Sequence, residues 1–350
     1  MHRPRSPGHA GRVRILVTGG AGFIGRPTVD RLVADGHDVT VLDLVRPAPR
    51  AGEASPGARL VVGDVRDEDT LVPAVRGADV VVHLAAKVGL GVDLDDIVDY
   101  VSTNDLGTAT VLRAARRAGV GRVVLASSMV VYGEGAYDCP EHGRVAPGPR
   151  RPADLEAGVF DPRCPRCDAV LAPAVVTEDA PLDPRNVYAA TKVHGEHLLR
   201  AWARETSGGA FALRFHNVYG PGMPRDTPYA GVASLFRSAL AAGRAPRVFE
   251  DGAQRRDFVH VDDVAQAVVA ATRTDAGPGL VVPLNVGSGA VTTVGGLAQA
   301  LADALDGPAP VVTGEFRIGD VRHVTASSDL AEQVLGWSAQ IGLRSGLATC

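Results

Sequence analysis

The chain has 350 residues, enough for a sizeable core together with a smaller lobe or insert. Its 45% hydrophobic and 22% charged residues are globular values, and a formal net charge of −4 leaves no electrostatic footprint for nucleic acid or an anionic membrane. No apolar run reaches the roughly 18 residues a membrane span needs, and residues 1–12 are polar with no apolar signal core, so they read as a disordered start to a soluble cytoplasmic protein.

Ile15-Leu-Val-Thr-Gly-Gly-Ala-Gly-Phe-Ile-Gly25 runs from strand-forming residues into three spaced glycines, Gly19, Gly22 and Gly25. Helical periodicity follows through Val29, Leu32 and Val33 to Gly36. Strand, tight turn and helix in that order suit a pyrophosphate. The first glycine permits the turn, the second lets N–H groups approach the phosphates, and the third lets helix and strand pack. The helix N-terminus, with Phe23 and Ile24, then faces the anion. A second strand, His37 to Leu42, ends at Asp43, where an acid would hold a ribose hydroxyl pair. Its carboxylate repels a 2′-phosphate and Leu44 offers no guanidinium, which favours NAD over NADP.

After a Pro-, Ala- and Gly-rich loop from Arg46 to Ala58, Arg59 to Gly63 reads as a third strand, followed by Asp64-Val65. An acid there either lies near an adenine ring or caps the helical segment Asp67 to Arg76. Asp79 to Leu84 is a fourth strand ending in Ala85-Ala86, small residues against which a dinucleotide can lie. Asp96 to Ala118 is a long helical pattern holding Asn104 and Gly107, and Gly121 to Ser127 is a fifth strand. Strands alternating with helices imply an α/β, Rossmann-type, doubly wound parallel sheet with ligands outside the carboxyl ends of the strands. Gly19, Asp43, Asp64, Ala85 and Ser128 fall at such ends.

From Gly133 to Thr177 the periodicity breaks. Cys139-Pro-Glu-His142 and, after a gap of 21 residues, Cys164-Pro-Arg-Cys167 have the spacing of a Cys₃His zinc ribbon. A stretch this short cannot build its own core, and a metal would fold it. A disulfide and free thiols are the alternatives; reducing cytosol weighs against the disulfide. Four protein ligands would close the site, making it structural. Cys350 is too remote to assign.

Asn186 to Ser207 is helical, with Tyr188 and Lys192 at i and i+4 on one face. Ala210 to Phe215 is a sixth strand, followed by Asn217-Val-Tyr-Gly-Pro-Gly222. A helix from Val232 to Ala242, a strand near Val248, the run Arg255 to Asp263 leading into a helix to Arg273, a strand from Pro283 to Gly287, a helix from Thr293 to Leu305 and the stretch Ile318 to Arg322 complete a smaller, discontinuous lobe. The expected organisation is a disordered 1–12, a dinucleotide domain over 13–215 that contains the 133–177 insert, and a substrate lobe over most of 216–350 with short returns to the first domain. Gly346 to Cys350 reads as lying within a helix, an ending from which a native C-terminus could continue.

Of 36 basic residues only Lys87 and Lys192 are lysines. A lysine can tune its pKa where an arginine cannot, which marks both for attention. A phenol ionises near pH 10; an ammonium one turn away, with a positive nicotinamide ring, favours the phenolate and makes Tyr188 a candidate general base. Ser128, at the end of the fifth strand, could hold the same substrate oxygen, with Ser127 beside it.

The motifs together are Gly19-x-x-Gly22-x-x-Gly25, Asp43, His83-Leu-Ala-Ala86, Ser127-Ser128 with Val131-Tyr132-Gly133, Tyr188-x-x-x-Lys192, Asn217-Val-Tyr-Gly-Pro221 and Arg256-Asp-Phe-Val-His-Val-Asp262. In this order they resemble the extended short-chain dehydrogenase/reductases, and within them the NAD-dependent nucleotide-sugar epimerases and dehydratases, over about residues 13 to 340. The resemblance implies NAD held by Gly19, Gly22, Phe23, Ile24, Asp43, Asp64, Val65, Leu84, Ala85, Ala86, Asn104, Tyr188 and Lys192. It implies catalysis by Tyr188, Lys192, Ser128 and Ser127. It also implies a nucleotide-diphosphate sugar touched by Lys87, Asn217, Arg256 and Arg322. Met129 and Val130 stand where the sugar dehydratases carry an acidic pair, which disfavours dehydration and leaves 4-epimerisation as the simplest chemistry. The insert, His83 to Leu90 and Asn104-Asp-Leu-Gly-Thr108 look like a branch that includes dTDP-L-rhamnose 4-epimerases, from which Lys87 departs. Family members usually pair through two helices, so a homodimer is expected. A net nucleotide-sugar dehydrogenase or ketoreductase, a 4,6-dehydratase, an inactive NAD sensor and a zinc-ribbon adaptor for nucleic acid are the alternatives.

Overall fold

The computed structural model describes residues 11–44, 57–89, 94–224 and 231–349. Residues 1–10, most of the loop before Arg59, Leu90 and Cys350 lie outside them.

In chain order the first half contains β1 (Arg14–Thr18), α1 (Gly25–Ala34), β2 (Asp38–Asp43), β3 (Arg59–Val62), α2 (Glu68–Val75) and β4 (Val80–His83). A 3₁₀ turn (Leu94–Asp96), α3 (Ile97–Tyr100), a π-helical turn (Val101–Leu106), α4 (Gly107–Ala118) and β5 (Arg122–Ser128) follow. The expected single helix over 96–118 is therefore interrupted, and Asn104 lies in the interruption. π-turns of this kind are rare and frequently mark functional sites.

The insert forms β6 (Ala136–Cys139), β7 (Gly143–Val145), α5 (Pro152–Glu156) and β8 (Ala172–Ala174), with the strands in the order β7-β6-β8. Then come α6 (Val187–Thr206), β9 (Gly209–Phe215), β10 (Asn217–Tyr219), α7 (Val232–Ala241), β11 (Arg247–Val248), β12 (Arg255–His260), α8 (Val261–Arg273), β13 (Val281–Val286), β14 (Val291–Thr293), α9 (Val294–Ala304), β15 (Val311–Val312), α10 (Asp329–Leu335) and α11 (Leu343–Leu347).

Seven strands form one parallel sheet in the order β13-β9-β5-β4-β1-β2-β3. The strand order reverses at β1, the switch point outside which ligands bind in doubly wound sheets. Its near-continuous apolar strands are those of a sheet covered on both faces. One face packs Val29 and Leu32 of α1 with Val264 and Val268 of α8 and Trp337. The other packs Leu71 of α2, Val111 and Leu112 of α4, and Leu199 and Trp202 of α6. From the second half of the chain β9 and β13 join this sheet, and α8 and α10 pack on it. A separate apolar cluster, with Tyr219, Phe236, Val248, Phe258 and Leu297, forms the core of the smaller lobe.

Candidate active site

The Gly-rich turn is built as its composition requires. Gly19 has φ +71°, and a Cβ there would press on the backbone of Ala85; a Cβ on Gly25 would overlap the carbonyl oxygen of Gly19. The N-terminus of α1 has no side-chain cap and no acid in its first turn, so its donors and dipole suit an anion. The Asp43 carboxylate accepts the N–H of Ala21 at 3.0 Å, joining the β2 end to this turn. Phe23 packs on the core of the smaller lobe and Ile24 on that of the sheet. These features fit a dinucleotide pyrophosphate.

Other expected contacts are placed differently. The Asp64 carboxylate is gripped by its near neighbour Arg66, with Nη2 to Oδ2 at 2.5 Å, and the cap of α2 is Asp67, not Asp64. Val65 is buried in the sheet's core, which leaves only its backbone for a ligand. Leu84 and Ala85 pack at the core's edge. His83 bridges Thr18 and Thr108, at 2.7 and 3.1 Å, and burial pulls its pKa down to about 3, so it is a neutral brace between β1, β4 and α4. A small cavity lined by His83, Ala86, Asn104, Thr191 and Lys192 lies behind the site.

On α6, capped by Asn186, Tyr188, Lys192 and Glu196 fall at i, i+4 and i+8 on the face toward β5. Each finds a partner there. The phenol of Tyr188 is hydrogen-bonded to the Ser128 side chain, and the Lys192 ammonium donates to the Ala126 carbonyl at 3.0 Å. The Ser127 hydroxyl donates to Glu196 at 2.6 Å. Glu196 also takes a two-point grip from Arg214 of β9, at 2.9 and 2.8 Å, and Arg214 reaches the Tyr132 hydroxyl at 2.7 Å. Tyr188, Ser127, Glu196, Arg214 and Tyr132 are buried, and Ser128 and Lys192 are half-buried.

In four places the structure departs from these expectations. The Ser127 hydroxyl is committed to Glu196, on the other side of the strand from Ser128, because neighbouring residues on a strand face opposite ways. The Tyr188 phenol is not lowered by the chain's own groups. Burial raises it, against the Ser128 hydrogen bond and helped by Tyr100, whose ring centre is 6.2 Å away, and Lys192 is turned to Ala126. Asn104 spends its side chain inside the protein: it accepts from Lys87 N and donates to Lys87 O and Thr191 Oγ1, at 2.8, 3.0 and 3.0 Å. Arg322 is 1% exposed and meets Asp161, Glu250 and Asp251 at 3.0, 2.7 and 2.7 Å, so its charge is spent on internal acids.

The remaining expected substrate residues are also engaged. The Lys87 ammonium pairs with Asp96 and Asp99 at 3.2 and 3.1 Å. Arg256 donates to the carbonyls of Val321 and Arg322 at 2.7 and 2.8 Å. Asn217 donates to the Asp257 carbonyl at 3.0 Å and lies 3.4 Å from Met129 Sδ. One arginine outside the expected set is less committed. Arg317 is exposed, stacks 5.1 Å over the Phe249 ring and forms no ion pair among the described residues. Its fork is free for an anion.

The cysteines and histidine converge. Ligand atoms of Cys139, His142, Cys164 and Cys167 all lie within 4.8 Å of one another. Cys139 Sγ is 3.6 Å from Cys167 Sγ and 3.5 Å from His142 Nδ1, which is 3.7 Å from Cys164 Sγ. A tetrahedron with metal–sulfur bonds of about 2.3 Å has edges near 3.7 Å. Against burial, which raises it, the N–H groups of Arg166 and Cys167 pull the Cys164 thiol down to about 6. Contrary to expectation, the insert does have a small core, in which Tyr137, Val145 and Leu171 pack with Cys139 and Cys164.

A Gly-rich turn at a sheet's switch point, with a Tyr-x-x-x-Lys helix facing a strand-end serine, defines a dinucleotide-dependent enzyme acting on an alcohol or carbonyl. The NAD dependent epimerase/dehydratase family matches over residues 15–154 and 169–287, and the chain belongs to it. It is 37% identical to a dTDP-L-rhamnose 4-epimerase of Burkholderia thailandensis, over 95% of this chain and 93% of that one. It is 36% identical to a UDP-glucose 4-epimerase of Mycolicibacterium smegmatis, over 96% of each. The solved structure of MoeE5 in complex with UDP-glucuronic acid and NAD superposes with a TM-score of 0.75 at 34% identity, covering 96% of this chain and 97% of that one. The family match skips residues 155–168, where Cys164 and Cys167 lie. Among the described residues no helix is long and apolar enough to cross a membrane.

Proposed function

We propose that this enzyme inverts C4 of a nucleotide-diphosphate sugar, dTDP-L-rhamnose or a related dTDP- or UDP-sugar, through a transient 4-keto sugar. The observation that carries this is the pairing of Tyr188 with Ser128 beside Lys192, followed on the chain by the apolar Met129 and Val130. In the forward half, Tyr188 acts as the phenolate, a form that the positive nicotinamide ring of bound NAD would favour against the cost of burial; it takes the C4 hydroxyl proton while C4 gives up hydride, and Ser128 holds the oxygen. The keto sugar turns over, and Tyr188 returns the proton as hydride reaches the opposite face. NAD, when bound, supplies the acceptor and then the donor of that hydride, so there is no net redox change. Neither Met129 nor Val130 can protonate a leaving hydroxyl, which separates this reading from dehydration. Gly19, Gly22, Asp43, Ala85 and Ala86 are the residues that would hold the dinucleotide. Arg317, with Asn217, is the candidate grip on the diphosphate.

The test is incubation with a panel of dTDP-, UDP- and GDP-sugars, read by chromatography for epimers. Tyr188→Phe should lose turnover by at least 10²-fold while retaining NAD. A panel with no epimer, or near-normal Tyr188→Phe, removes the reading.

Two further features belong to it. Cys139, His142, Cys164 and Cys167 would hold one structural zinc per chain, to be checked by metal analysis. Leu94, Val98 and Val101 present an apolar stripe on the helix that opens at residue 94, with 73%, 71% and 43% of their surface exposed. That stripe supports a homodimer through these helices, and Val98→Asp should yield monomers in sedimentation. A cytoplasmic location accords with the thiols.

A further inference from the structure

We infer that the metal-bound insert is a clamp on the lobe. It fixes residues 320–327, so that metal occupancy sets the protein's affinity for a nucleoside diphosphate. The inference rests on the metal and sugar readings above.

The insert meets this segment along one seam. The Tyr137 hydroxyl donates to Glu134 and accepts from the N–H of His323, both at 3.1 Å. Glu134 accepts the N–H of Arg322 at 2.8 Å. Asp161 takes Arg322 Nε at 3.0 Å and pairs with His323 Nε2 at 2.9 Å. Arg150 donates to the Asp320 carbonyl at 2.6 Å. Val176 closes the seam, donating to Thr325 O and accepting from Ser327 N, at 2.8 and 3.0 Å.

The metal cluster is wired into that seam. Tyr137 stands two residues before Cys139, and Asp161 three before Cys164. The cluster packed around the ligand cysteines has five buried residues, Tyr137, Cys139, Val145, Cys164 and Leu171, two of them the ligands themselves. A core so small depends on its metal for order. Metal loss would free Tyr137 and Asp161 and leave the segment that begins at Asp320, whose N–H is tied to the carbonyl of Arg317, held from one side only, by Arg255 and Arg256 of β12. Arg322 would keep Glu250 and Asp251, so the lobe itself should stay folded.

The experiment is titration calorimetry of UDP and of dTDP into three proteins: wild type as purified, wild type stripped by a zinc chelator, and Tyr137→Phe/Asp161→Asn with its metal content verified. Limited proteolysis around residues 317–323 and bound NAD are measured on each. Stripped protein and the double variant should both bind the nucleotide at least fivefold more weakly, cleave faster in that segment and keep their NAD. Affinity and cleavage within twofold of wild type in both would overturn the clamp. If the purified protein holds no metal, the zinc reading fails and the double variant alone decides. If wild type binds neither nucleotide, the sugar reading fails and proteolysis decides.

Discussion

The ammonium of Lys192 lies 3.0 Å from the carbonyl oxygen of Ala126 and 5.6 Å from the centre of the Tyr188 ring. It is anchored to the strand and lies over the face of the Tyr188 ring. Burial pushes this lysine down to about 8. Between that value and its ordinary 10.5 the unfolded chain holds the proton and the folded chain does not. Stability should therefore rise with pH through this window. Tyr188 works in the opposite sense. Burial raises it, so above about pH 10, where a free phenol ionises, the unfolded chain loses the proton first and the gain reverses. Thermal melts of wild type and Lys192→Met from pH 7 to 11 isolate the lysine. Their difference should change by roughly 3 kcal/mol across the window, and a constant difference would contradict the assignment.

The two outer glycines of the nucleotide turn and the middle one should fail in different ways. Alanine at Gly25 drives its Cβ into the carbonyl of Gly19, which is backbone and cannot step aside. Gly25→Ala should lose several kcal/mol or not fold. A Cβ at Gly22 would stand 3.2 Å from the same carbonyl, tight but bearable. Gly22→Ala should keep a near-normal melting temperature and be purified without NAD. If Gly22→Ala retains the dinucleotide, the turn does not bind it through this glycine.

Ser127 and Ser128 are neighbours with opposite duties. Ser128→Ala removes the partner of the Tyr188 phenol and should cut kcat by 10-fold or more with little change in stability. Ser127→Ala takes a buried hydrogen bond from Glu196, which keeps its two bonds to Arg214. It should cost about 1–2 kcal/mol of stability and less activity than Ser128→Ala. Melting temperature and kcat measured on both variants settle the matter; the reverse ranking would restore Ser127 to the catalytic set.

Much of this was legible in the sequence because it is local. The glycine spacing, the period of the strands and the i, i+4 pair of Tyr188 and Lys192 are dictated within a few residues. The β5 register was not: whether Ser127 or Ser128 meets the phenol depends on which face of the strand α6 covers. The π-turn at Asn104 left no signal in the sequence, where residues 96–118 read as one continuous helix. Nor does any pattern in 133–177 say that Glu134 and Asp161 will seek Arg322 across more than 160 residues. Long-range ion pairs belong to the tertiary structure, and here they displaced an arginine from the role its neighbourhood suggested.

Arg317 and Arg322 are five residues apart and should separate cleanly. Arg322 is enclosed by Asp161, Glu250 and Asp251, with Glu134 accepting its N–H. Arg322→Met would leave those acids without their cation, and breaking a buried pair costs about 3–5 kcal/mol. Its melting temperature should fall sharply, whether or not nucleotide is present. Arg317 is exposed on an aromatic face, so Arg317→Ala should change stability by only about 0.5 kcal/mol. If its fork grips the diphosphate, losing a charge-assisted contact of about 1.5–3 kcal/mol should weaken UDP or dTDP binding by tenfold or more. Calorimetry and melts on the two variants read both effects. Normal nucleotide affinity in Arg317→Ala would move the diphosphate elsewhere; a stable Arg322→Met would mean that its acids are protonated or hydrated, and that the buried pairing is not what holds the seam.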